Sequence, residues 1–106
     1  MAKYFCTAKL TEKGLKGTLE EGGSARSEAV RAAVESLGGT MDCFYYAFGE
    51  KDIVGIVDMP DNVSVAAFSM LVTAAGGAAV STAVLLTPEE VDEVAKKTGN
   101  YRPPGD

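Results

Sequence analysis

With no histidine in its 106 residues, this chain lacks the commonest general base, the usual haem ligand and the serine triad. Acid–base and binding chemistry therefore fall to a short set of other side chains. Asp52, beside Lys51 and within reach of Tyr45, is a candidate general base or cation ligand. An aspartate at a turn also has a plainer use, accepting hydrogen bonds from nearby backbone amides. Tyr45 and Tyr46 are consecutive, so on a strand they point to opposite faces and one of them can reach an interior. A core tyrosine with a satisfied hydroxyl is the plain role, a catalytic phenol the sharp one. Arg26 stands near the head of a helix, where free amides favour anions; otherwise it pairs with a glutamate at the surface. Thr11, Thr82 and Lys9 are candidate pocket liners.

The two cysteines, Cys6 and Cys43, fall in different strands. With no Cys-x-x-Cys spacing and no adjacent base, they read as reduced core thiols, although their number also permits one disulfide. Their spacing does not suit a metal, and neither metal nor cofactor is expected.

These side chains need a scaffold, and the length allows one domain, residues 1–99, followed by an extended or disordered tail over 100–106. The composition is 46% hydrophobic and 24% charged, which favours a packed core over disorder. A net charge of -5 without any basic run argues against nucleic acid, whose phosphates need clustered Lys and Arg. Residues 62–88 carry no charge, but Gly76-Gly77 and Pro88 interrupt them before the roughly 20 apolar residues of a membrane span are reached. The first residues, Met1-Ala2-Lys3-Tyr4, contain no signal-peptide core, so a cytoplasmic address is expected.

Tyr4 to Leu10 reads as the first strand, with Tyr4, Cys6, Ala8 and Leu10 on one face. Thr11 to Gly23 holds four glycines and reads as a solvated loop with one helical turn, or a mobile lid. Ser24 is a cap for the first helix, which runs to about Leu37 and stops at Gly38-Gly39. Its core stripe is Val30, Ala33, Val34 and Leu37, with Arg26, Glu28, Arg31 and Glu35 on the opposite side. Strands follow over Thr40–Phe48 and Asp52–Met59, joined through Gly49-Glu50-Lys51-Asp52 as an antiparallel hairpin. Asp61 caps the second helix, whose expected core stripe is Val63, Ala66, Ala67, Met70, Leu71 and Ala74, with Val65, Phe68 and Val72 as a second apolar line. That helix has no charge after its cap, which suits burial against another subunit. Ala79–Leu86 reads as a strand buried on both faces. Thr87-Pro88-Glu89-Glu90 starts a last helix with a modest apolar side at Val91, Val94 and Ala95.

The element order β-α-β-β-α-β plus a helix is the ferredoxin-like α+β pattern. Its helices cover one sheet face, yet the strands are apolar on both. A second copy covering the open face answers that mismatch, and the chain is expected to be its own partner.

Thr11 with Gly14, Arg26, Gly38-Gly39, then Tyr45, Gly49 and Asp52, Pro60-Asp61, a glycine before the last strand, Thr82 and Glu90 occur in an order that resembles the GYD-domain family. The resemblance runs from about Tyr4 to Lys97. It implies a dimeric α+β barrel, pairing as a dimer or larger assembly, and no settled activity. The name-giving Gly-x-Tyr-Asp is Gly49-Glu50-Lys51-Asp52 here, with lysine in the tyrosine's place.

Two functions fit. One is a homo-oligomeric module that binds a small molecule or protein partner through an inter-sheet cavity or the charge-poor second helix. The other is a cofactor-independent oxygenase or isomerase using Tyr45 or Asp52.

Overall fold

Alternation along β1 (Ala2–Leu10) decides the layering, because Tyr4, Cys6 and Ala8 are buried while Phe5 and Lys9 are exposed. In the computed structural model, which describes residues 1–106, the elements that follow are α1 (Glu12–Glu21), α2 (Gly23–Ser36), β2 (Thr40–Tyr46), β3 (Ile53–Met59), α3 (Asn62–Ala74), β4 (Ala78–Val84) and α4 (Pro88–Lys96). The strands form one antiparallel sheet of order β2-β3-β1-β4. This is the ferredoxin-like α+β arrangement expected from the element order, with a C-terminal helix added.

The register places Tyr4 opposite Val57, Cys6 opposite Gly55 and Ala8 opposite Ile53, so these residues share the helix-covered face. There they meet Val34 of α2 and Val65 and Phe68 of α3, and with Met41 and Met59 they make the core. The Tyr4 phenol is satisfied within it, donating to Asn62 Oδ1 at 2.6 Å. On the other face Val54, Ile56, Phe5 and Tyr45 have no helix above them. No helix is long and apolar enough to cross a membrane.

Several expectations are corrected. The stretch after β1 is the helix α1, not a loop with one turn. Thr11 caps it, accepting from the Gly14 amide at 3.1 Å, which offsets roughly one of the about 1 kcal/mol penalties that its glycines carry. Gly14 is there for a different reason: a Cβ at that position would overlap the Gly77 carbonyl oxygen. Ser24 is not the cap of the next helix. Gly22, at φ 92°, ends α1 and begins α2 at once, a reversal that its left-handed backbone permits.

Helix α3 faces the opposite way from the one its spacing suggested. Val65 and Phe68 are buried, whereas Val63 is 78% and Met70 72% exposed. Both sides of the helix are apolar, so spacing alone could not choose between them. Strand β4 is an edge strand and mostly exposed, because only β1 pairs with it. The hairpin strands are shorter than expected, and their connection runs from Ala47 to Asp52. The Asp52 amide donates to Ala8 O at 2.9 Å, which draws the chain out of the hairpin and onto β1. The caps of α3 and α4 are as expected: Asp61 accepts from the Ser64 amide at 2.8 Å, and Thr87 and Glu90 close a capping box.

Helix α4 has the cap but no seat. Every residue from Leu86 to Asp106 is exposed. The radius of gyration is 16.8 Å, against about 13 Å for a compact chain of this length. The excess comes from α4 and the tail standing clear of the body.

Candidate functional site

Small residues leave a gap between the sheet and the helices. Ala8, Gly55 and Ala78 on the sheet, Ala29 and Ala33 on α2, and Ala75 beyond α3 are too short to meet across the layer. The result is a cavity of about 430 Å³, inside the range of about 300–1,000 Å³ common for small-molecule sites. Its floor includes Cys6, Phe44, Val57 and Val80, and its walls include Val30, Phe68, Leu71 and Val72. Helix α1 presents Lys13, Gly14, Gly17, Thr18 and Glu21 to it. These lie on one face of a helix by their three- and four-residue spacing. The leucines of α1 do not fill the space, since Leu19 is 78% exposed and Leu15 also faces outward.

Helix α1 is fastened at the end where it enters. The Thr11 amide donates to Gly77 O at 3.1 Å and its hydroxyl to Gly76 O at 2.6 Å. Lys13 Nζ donates to Ala75 O at 3.2 Å, adding a cation at the negative C-terminal end of α3. At the other end Arg26 pairs with Glu21 at 3.3 Å. Close by, the Tyr46 hydroxyl donates to Gly23 O at 3.1 Å. Burial raises the Tyr46 pKa, with the Arg26 charge opposing, so the phenol stays protonated.

Of the residues singled out from sequence, Arg26 lines the cavity, and so does not lie on the outer side with Glu28 and Arg31. Thr11 anchors the rim. Thr82, opposite Cys6 in the register, comes within 3.8 Å of the Cys6 sulfur. Cys6 itself is a neutral thiol whose pKa is raised by burial. Cys43 is on the other sheet face, and both cysteines are free. Tyr45 is 65% exposed on the uncovered face and does not join the others. Asp52 sits at the sheet end, where its carboxylate accepts from the Leu10 amide at 2.8 Å and from Lys9 Nζ at 3.3 Å. The Leu10 amide above all holds its pKa below the usual carboxylate value. That is turn stabilisation, the plainer of the two roles weighed for it.

Sequence reasoning missed Lys13, Gly17 and Glu21 because it left their segment without a helix. The signal was present. Gly14, Gly17, Thr18 and Glu21 repeat at helical spacing behind a capping threonine. No group of three or more acidic, cysteine or histidine side chains is placed to hold a metal ion.

A family model, described as the GYD domain, matches residues 4–95. The chain belongs to the GYD-domain family. The match spans every element that lines the cavity. No curated protein and no solved structure matches the chain.

Proposed function

We propose that this GYD-domain protein is a homo-oligomeric binding module that takes a small molecule into the cavity between its helices and its sheet. The observation that carries this reading is the cavity: about 430 Å³, mainly apolar, and left open by small residues. Close packing is the rule inside proteins, and an unfilled space of this size forfeits contacts that larger side chains would supply. A ligand restores them. The space differs from the inter-sheet cavity expected from sequence, since it lies on the helix side of the sheet within one chain.

Self-association follows from the other face. Exposed Phe5 and Tyr45 with half-buried Val54 and Ile56 form an apolar surface that no helix covers, and α3 adds Val63 and Met70 outside. A stable pair buries about 800 Å² per partner, which one sheet face of four strands can supply. The enzymatic alternative draws less support, because neither Tyr45 nor Asp52 lines the cavity.

Gly17 provides the test. It lines the cavity, and a Cβ there meets no atom within 4 Å, so Gly17→Leu adds bulk at the cavity wall without a backbone clash at its Cβ. The variant should bind a neutral solvatochromic dye at least tenfold more weakly while melting no lower than the parent. Replacing a helical glycine adds up to about 1 kcal/mol of stability. Unchanged dye binding in a folded Gly17→Leu protein would sink the cavity reading.

A further inference from the structure

The charge along the cavity is opposite in sign to that of the protein. The chain carries -5 overall, yet the charged residues lining the cavity are two cations, Lys13 and Arg26, and one carboxylate, Glu21. Arg26 is already answered by Glu21 at 3.3 Å. Lys13 is not. The nearest acidic neighbour in sequence, Glu12, is engaged by Lys16 at 2.9 Å, and the Lys13 ammonium has only the Ala75 carbonyl, at 3.2 Å. An ammonium has three donors, so two remain. The Ala75 bond also fixes its position at the end of the cavity made by Gly14, Ala75 and Gly77.

We infer that the cavity's ligand is an amphipathic monocarboxylate, with its apolar body against Val30, Phe68, Val72 and Val80 and its carboxylate at Lys13. This rests on the cavity reading above and adds the ligand's charge. A single negative charge matches the single uncompensated cation. A neutral molecule of the same shape would forgo the charge-assisted hydrogen bond.

The test is isothermal titration of the full chain with octanoate and with octan-1-ol, which share one hydrocarbon chain and differ in the head group. Octanoate should bind about tenfold more tightly, a charge-assisted hydrogen bond discounted for the exposure of Lys13. Lys13→Met should erase that preference, and Lys13→Arg should retain it. Gly17→Leu should abolish binding of both. Equal affinities in the parent protein, or a preference that survives Lys13→Met, would overturn the carboxylate assignment and leave the cavity reading standing. If neither compound binds, or both still bind to Gly17→Leu, the cavity reading falls and the assignment with it.

Discussion

The two faces of the sheet are built from similar residues and meet different surroundings. On the helix side, Tyr4, Cys6, Val57 and Met59 are buried against α2 and α3. On the other side, Phe5, Val54, Ile56 and Tyr45 have only solvent above them in the single chain. Composition does not separate the faces; the reach of the connections does. Both crossovers, through α1–α2 and through α3, pass over the same side, as right-handed βαβ units sharing one sheet must. The apolar residues opposite are then surplus to one chain. The lesson concerns partners. The uncovered face is the one the proposed second copy would cover, whereas the covered face owes its cavity to residues too small to fill it.

The sharpest way to break this comparison is to remove bulk from each face in turn. Phe68→Ala, on the covered side, should cost about 3–5 kcal/mol in urea unfolding. Phe5→Ala, on the uncovered side, should cost well under half as much in a monomer. Equal costs would mean that the uncovered face is already packed. A smaller effect is expected for Ile56→Asp, which places a charge at the proposed interface and should weaken self-association by about a hundredfold, roughly 2.7 kcal/mol. Size-exclusion chromatography would then show a shift toward the 11.0 kDa monomer. A parent protein that already elutes as a monomer at micromolar concentration would end the oligomer proposal.

The smallest effect concerns Asp52, at the end of the sheet. Its folded pKa is depressed, first by the Leu10 amide and then by Lys9. The stability it contributes is therefore fully present above the unfolded value of about 3.9 and lost as pH falls through the lower folded value. Asp52→Asn should be less stable than the parent near neutral pH, and the gap should close as pH falls below about 4. Urea unfolding at several pH values would test this. A gap that stayed constant down to the acid limit would show that the carboxylate's charge plays no part.

Much of this was legible beforehand because it is local. The Asp61 and Thr87 caps act over three residues, and the alternation of Tyr4, Cys6 and Ala8 needs only one strand. The site was less legible. Arg26 was a candidate, but Lys13 and Gly17 were hidden in a segment whose glycines suggested a loop. Gly14 makes sense only once Gly77, distant in sequence, is seen against it.

By itself, then, the sequence determined the succession of the four strands, the caps of α3 and α4, the absence of histidine chemistry and the apolar character of both sheet faces. These depend on residue type and on spacings of two to four positions. Tertiary structure alone decided which side of α3 is buried, that a cavity opens beneath α1, and that α4 stands free of the body. Each is a choice between alternatives that are locally almost equal in free energy. Contacts between residues far apart in the chain, such as Tyr4 with Asn62 or Thr11 with Gly76, are what separate them.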